Sequence, residues 1–241
     1  MSGHRFCYPQ PEQAVEACAR HILARLEEAL SGNQMATLAI SGGRSPKPVF
    51  EHLAAGRFPW DRVHLFWVDE RAVPPGDPQS NYTMAERHLV QPARIPPRNV
   101  HRIHGEARPD DAAQRYSDEI RQFFGLSAGE LPHFDVVHQG IGDDGHTASL
   151  FSGDPLLEDH ENIAAATFVE KFNQWRVTLL PGVLLAARHT VFFLTGADKA
   201  PTVRTIIEEE YDPRKYPAQL VAHHGRSVAW FLDDAAASLL S

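Results

Sequence analysis

Phe134-Asp135-Val136-Val137-His138-Gln139-Gly140-Ile141-Gly142-Asp143-Asp144-Gly145-His146 is a short apolar run that stops at a glycine-rich, doubly acidic turn. Phe134 to Val137 reads as a buried strand, and the turn falls at its C-terminal end. The same pattern recurs elsewhere. Met35 to Ile40 runs into Ser41-Gly42-Gly43-Arg44-Ser45-Pro46, Val63 to Val68 into Asp69-Glu70-Arg71, and Val191 to Leu194 into Thr195-Gly196-Ala197-Asp198-Lys199. Helical patterns stand between these strands. Pro11 to Leu30 carries Val15, Cys18, Ile22, Leu26 and Leu30 on one face, with Gly32 as a stop. Asp110 to Phe124 reads as a helix, and another passes through Val203 and Ile207. The alternation predicts an α/β chain with a mostly parallel sheet. C-terminal strand ends share one edge of such a sheet, so the four polar clusters are expected to meet in one crevice.

Further elements follow from local signals. Ser45 is expected to cap a helix through Phe50 and Leu53, with Pro46 as its first residue. Proline-rich Ala72 to Ser80 is expected to be a loop, and His146 to begin a helix. Late strands are expected near Leu220-Val221 and from Val228 to Phe231. Trp67 and Trp175 are expected in the core or lining a pocket. Pro155 to Asn162 offers only a short break, so residues 1–241 are expected to form a single domain.

Hydrophobic residues make up 43% and charged residues 22% of the 241, which is enough apolar material for a full core. The net charge of -8 repels nucleic acid on average, so an anionic ligand needs a local cluster of donors. Cys7 and Cys18 form neither a disulfide framework nor a paired-thiol metal motif. The opening MSGHRFCYPQPEQ has no apolar signal core, and no uncharged stretch is long enough to span a bilayer. These features predict a cytoplasmic protein with neither membrane nor nucleic-acid partners.

The Ser41-Gly42-Gly43-Arg44 turn suits a phosphate. Glycines let backbone N–H groups approach, the helix that follows favours an anion, and Arg44 adds a guanidinium. An ordinary capped strand-to-helix turn explains the same residues. Gly140, Gly142 and Gly145 spell a dinucleotide fingerprint, but Asp143 and Asp144 put carboxylates where a pyrophosphate needs donors. Asp144 and His146, one residue apart, can interact within a tight turn. A carboxylate partner fixes the imidazole tautomer, which suits general acid–base catalysis. Arg71 beside Asp69 and Glu70 is either a local ion pair or an anion ligand. Lys199 is a cation at a strand end or a solvated helix residue. The pairs His101/His104 and His223/His224 lack metal-ligand spacing with a partner acid, so no metal is implied.

At these residues the chain resembles the 6-phosphogluconolactonase family, within the fold group that includes glucosamine-6-phosphate deaminase. The resemblance rests on Leu38 to Gly43, Trp67 to Arg71, Ser80-Asn81-Tyr82, Gly140 to Phe151, and Gly196 to Ala200. It implies a Rossmann-like three-layer α/β/α sandwich, no nucleotide cofactor, and hydrolysis of 6-phospho-D-glucono-1,5-lactone. His146 stands at the expected catalytic position. Asp144 and Asp69 are the two candidates to orient it. Ser41, Gly42, Gly43, Arg71 and Lys199 match positions expected near the substrate. Arg44 and Ser152 depart from the family pattern, which puts the phosphate contacts of Arg44 in doubt. The expected partner is a sugar phosphate lactone, and the expected assembly a monomer or weak homodimer. A deaminase and a non-catalytic sugar-phosphate sensor are the rival readings. Arg71, where the deaminase branch carries Tyr, and Leu150-Phe151-Ser152, in place of that branch's Asn-Glu-Pro, count against the first. The absence of a visible DNA- or partner-binding segment counts against the second.

Overall fold

The computed structural model describes residues 3–43 and 45–241. Its strands are β1 (Gly3–Tyr8), β2 (Ala36–Ile40), β3 (Val63–Trp67), β4 (Asp69–Arg71), β5 (Val100–His101), β6 (Val136–Gln139), β7 (Ala164–Val169), β8 (Gln174–Leu179), β9 (His189–Leu194) and β10 (Val228–Asp233). Its α-helices are α1 (Pro11–Gly32), α2 (Lys47–Ala55), α3 (Asn81–Ala85), α4 (Pro109–Phe124), α5 (Pro181–Ala186), α6 (Ala200–Glu208), α7 (Ala218–His224) and α8 (Asp234–Ala237). Seven strands form a wholly parallel sheet in the order β1-β10-β9-β6-β2-β3-β5, and helices cover it in a three-layer α/β/α arrangement. All of β2, β6 and β10 is buried, because a sheet covered on both faces has no wet side and its strands lose polar alternation.

The helix α1 buries Val15, Cys18, Ile22, Leu26 and Leu30 along one stripe against β10, β9, β2 and β6. Its first turn is closed by the Gln13 side chain, which accepts from Gln10 N at 3.2 Å. At the far side, Tyr116 of α4 locks the end of β3. Its hydroxyl donates to Trp67 O at 2.8 Å and accepts from Trp67 N at 2.9 Å. Its full burial pushes the Tyr116 phenol well up, so it stays neutral. Among the described residues no helix is long and apolar enough to cross a membrane.

Chain direction across the sheet reverses between β2 and β6. From β2 the chain moves outward through β3 to β5; from β6 it moves the other way through β9 and β10. Ligand crevices form at such switch points, outside the C-terminal strand ends. The strands that precede the four polar clusters are neighbours there, in the order β9-β6-β2-β3.

A second, antiparallel sheet of order β4-β8-β7, which the sequence pattern does not predict, stands beside this edge. It is joined to the main sheet at Val68, whose N donates to Ile40 O at 2.9 Å and whose carbonyl accepts from Leu179 N at 2.8 Å. Other expectations are corrected. The cap of α2 is Pro46, not Ser45, and the helix starts at Lys47. Leu220-Val221 lie inside α7, where Gln219 Nε2 ties the helix start to Thr205 O and Glu210 O. No helix begins at His146: positive φ at Gly145 (78°) and Ala148 (52°) breaks any helical run, leaving a turn bridged between Ile141 and Thr147. Trp67 is buried as expected, whereas Trp175 on the side sheet is 43% exposed.

Candidate active site

The switch-point cleft has a volume of about 180 Å³, small beside the ~300–1,000 Å³ of drug-sized pockets, and so fits a small polar ligand. Ser41, Gly42, Gly43, Asp69, Arg71, His146 and Lys199 all line it, which brings together the clusters that the sequence keeps apart. Ser41 stitches its floor. Ser41 N donates to His138 O at 3.0 Å, and Ser41 Oγ accepts from Gly140 N at 3.1 Å, joining the ends of β2 and β6. Arg44 lies outside the described residues, so its expected contact stays a sequence inference.

His146 sits in the turn after β6. Gly142 N donates to His146 O at 2.9 Å, and Gly145 N to Gly142 O at 2.9 Å. Thr147 Oγ1 lies 2.8 Å from both Gln139 Oε1 and Gly140 O, which pins the far side. The imidazole lies directly over Gly142. A Cβ there would stand 2.0 Å from the ring's Cε1, so only glycine permits this packing. Phe151 stacks on the ring at 4.1 Å between centroids, with 26° between planes.

Asp144 Oδ1 stands 2.5 Å from His146 Nδ1, and Asp144 Oδ2 accepts from Lys171 Nζ at 2.8 Å. The hydrogen bond from His146 holds the Asp144 carboxyl well below the usual carboxylate range, with Lys171 assisting. An ionised carboxylate can only accept, so the proton of the pair belongs to Nδ1. Nε2 has no hydrogen-bond partner among the described residues, so in a neutral ring with its proton on Nδ1 it is the nitrogen that carries the lone pair.

Asp69 shares the cleft, but its carboxylate is engaged elsewhere. Asp69 Oδ2 accepts from Ser149 Oγ at 2.7 Å and lies 3.9 Å from Arg176 Nη1, while Asn81 Nδ2 donates to Asp69 O at 2.9 Å. Of the two acids, Asp144 is therefore the one that pairs with His146. Glu70 points the other way and is buried. It accepts from Arg71 N, Asn81 N and Tyr82 N at 2.7–2.8 Å and from Ser80 Oγ at 3.1 Å, which fixes the start of α3. Burial pushes its carboxyl up, and the three backbone donors oppose that. Asn81 in turn depends on Gly42, where a Cβ would stand 1.9 Å from Asn81 Oδ1.

The cations are arranged unequally. Arg71 Nη1 donates to Gln79 O, and its Nε is buried without a partner among the described residues. Lys199 Nζ pairs with the exposed Asp143 at the cleft mouth. Arg176 and Lys171 were not anticipated. Arg176 faces Arg71 across the β4–β8 register, is buried, and leaves its Nε unpartnered among the described residues. Burial lowers the affinity of its guanidinium for its proton, which Asp69 partly offsets. The only trace in sequence is an arginine opening the apolar run Arg176-Val177-Thr178-Leu179-Leu180. Lys171 sits in the exposed tip between β7 and β8 and carries no local signal. Among the described residues no group of three His, Cys, Asp or Glu side chains is arranged to hold a metal ion.

This geometry can hold an anion among cations and a glycine turn while presenting an oriented base to it. Comparison with known proteins agrees in kind. The family described as glucosamine-6-phosphate isomerases/6-phosphogluconolactonase matches residues 9–230. The chain is 38% identical over 216 residues to a 6-phosphogluconolactonase of Synechocystis sp., covering 89% of each. It is 36% identical over 221 residues to one of Nostoc sp., covering 91% of each. The solved structure of 6-phosphogluconolactonase from Thermotoga maritima is similar with a TM-score of 0.83 at 28% identity, over 96% of this chain and 100% of that one.

Proposed function

Because the chain belongs to the glucosamine-6-phosphate isomerase/6-phosphogluconolactonase family, we propose that it hydrolyses 6-phospho-D-glucono-1,5-lactone to 6-phospho-D-gluconate in the oxidative pentose phosphate pathway, with His146 as general base. The observation that carries the reading is the Asp144–His146 contact of 2.5 Å, which leaves Nε2 as the basic nitrogen in a cleft shared with the Ser41–Gly43 turn. The substrate phosphate docks on that turn with Arg71, Arg176 or Lys199 supplying charge. Anchoring makes attack at C1 nearly intramolecular, an effect that reaches roughly 7–11 kcal/mol in ideal systems.

His146 Nε2 takes a proton from water as the water oxygen bonds to C1. The carbonyl π electrons move to oxygen, where backbone N–H groups of the glycine turn or a cleft arginine stabilise the charge. On collapse the C1–ring oxygen bond breaks, the ring oxygen takes the proton from Nε2, and the new carboxylic acid ionises. Asp144 stabilises the transient imidazolium throughout. The reading keeps the expectation of a cytoplasmic enzyme that works without a nucleotide cofactor.

The test is a coupled assay with freshly generated lactone, corrected for spontaneous opening, on wild type and His146→Ala. Turnover that drops by about 10²–10⁴-fold in the variant, with 6-phosphogluconate still bound, supports the proposal. A fully active His146→Ala removes His146 from the mechanism. Ammonia released from glucosamine 6-phosphate instead would assign the chain to the deaminase branch.

A further inference from the structure

Lys171 is brought to the active site by an element unrelated to the catalytic turn. It lies in the short 3-10 turn Glu170–Phe172 at the tip between β7 and β8, and Asn173 closes that tip with φ of 47°. From there Lys171 Nζ reaches Asp144 Oδ2 at 2.8 Å, on the carboxylate oxygen that His146 leaves free. The tip is seated by its neighbour. Phe172 packs edge-on to Phe151 at 6.0 Å, Phe151 stacks on the His146 ring, and the Arg176 guanidinium lies 5.0 Å from the Phe172 ring. A lysine, an aspartate and a histidine thus stand in line, with the base at the inner end.

We infer that Lys171 is a positioning residue that sets the proton affinity of His146 through Asp144. The inference rests on His146 being the general base, as proposed above. The ammonium has two effects of one sign. It withdraws negative field from Asp144, and it repels a positive charge on the nearby ring. Both disfavour the imidazolium and keep Nε2 available as a base at lower pH. Holding Asp144 in place by its second oxygen also fixes the angle at which the carboxylate meets Nδ1.

The other charged groups around the ring are accounted for. Lys199 is paired with Asp143 at the mouth, and Asp69 is engaged by Ser149 and Arg176. Arg71 donates to Gln79 O. Tyr216, which packs beneath Gly145, is the nearby phenol. Among the described residues the Asp144 carboxylate bonds to His146 and Lys171, and to none of these side chains. Removing the Lys171 charge is therefore the change that reaches His146 without altering the cleft wall.

The test is the pH dependence of kcat/KM for fresh lactone, over roughly pH 5 to 8, where histidine titrates. Wild type is compared with Lys171→Met, Lys171→Gln and Lys171→Arg. Lys171 is exposed, so the neutral variants fold. The pair is solvent-facing and screened, so the acid limb is expected to move up by roughly 0.3–0.7 pH unit in both neutral variants. It stays at the wild-type position in Lys171→Arg, which keeps the charge. A limb that stays put or moves down in both neutral variants overturns the inference. His146→Ala separates the two levels. If it remains active, the general-base proposal itself has failed; if it is inactive while the limb stays put, only the role of Lys171 is lost.

Discussion

Asp144→Asn changes one atom and tests whether the carboxylate works by selecting the tautomer of His146. The aspartate has an oxygen facing each partner: Oδ1 at 2.5 Å from His146 Nδ1 and Oδ2 at 2.8 Å from Lys171 Nζ. Asparagine has one oxygen and one NH2, so one partner must face a donor. Lysine can only donate, whereas a neutral imidazole nitrogen can accept. Turning the amide oxygen to Lys171 keeps that bond and avoids setting the NH2 against an ammonium that can only donate, whereas Nδ1 can accept from the NH2. It sacrifices the long contact from His146 N to Oδ1 at 3.3 Å, a neutral bond worth about 0.5–1.5 kcal/mol at most. The first effect outweighs the second, so the NH2 is expected to face Nδ1. The imidazole proton then moves to Nε2, and the base that should attack the water proton is gone. Loss of tautomer control of this kind costs about 10³–10⁴-fold in kcat, or roughly 4–5.5 kcal/mol of barrier. The assay is kcat at neutral pH with fresh lactone, with spontaneous opening subtracted. Adding Lys171→Met releases the amide to turn its oxygen back toward Nδ1, so the double variant is expected to recover about tenfold over Asp144→Asn alone. An Asp144→Asn enzyme within about tenfold of wild type would refute the tautomer argument, and so would a double variant no better than the single.

Three other perturbations probe different parts of the site. Gly42→Ala drives a methyl into Asn81, which is held by Glu70 and Asp69, and is expected to destabilise by about 2–4 kcal/mol in denaturant unfolding while lowering activity; unchanged stability would mean that the Asn81 region moves freely. Arg176→Met removes a buried guanidinium beside Asp69, and KM is expected to rise about tenfold or more if that group meets the substrate; an unchanged KM restricts Arg176 to balancing Asp69. His138 is buried with both ring nitrogens unpartnered among the described residues, and burial lowers its pKa to about 4. The unfolded state, titrating near 6.5, binds the extra proton between about pH 6.5 and 4, so this residue lowers stability as pH falls through that window. His138→Leu is therefore expected to raise the unfolding free energy at pH 5 more than at pH 7, and an equal effect at both would contradict the assignment.

Much of the fold was legible because buried parallel strands write themselves as unbroken apolar runs. Residues 36–40 and 63–67, and the run from Val191, announce β2, β3 and β9 in this way. The strand β1 was silent since it lies at the sheet edge with mostly exposed residues. The side sheet was silent for a related reason. Asp69-Glu70-Arg71 looks like loop or surface sequence, yet it pairs as β4 with Arg176-Val177-Thr178 of β8 through backbone bonds that side-chain pattern does not report. The helix expected at His146 fails because of the backbone at Ala148, whose positive φ no alanine advertises.

The chain of residues alone determined the alternation of strand and helix and the four polar strand ends, and it left Asp144 and Asp69 as alternative partners of His146; the fold decided for Asp144 by turning Asp69 toward Ser149. Folding in three dimensions decided which distant groups complete that pair. Arg176 and Lys171 arrive from a side sheet that is completed only when β4 pairs with β8, segments far apart in sequence, as Arg71 opposite Arg176. A side chain's local neighbours specify its conformation, but its partners across the cleft depend on where whole layers come to rest, and no short window of sequence carries that.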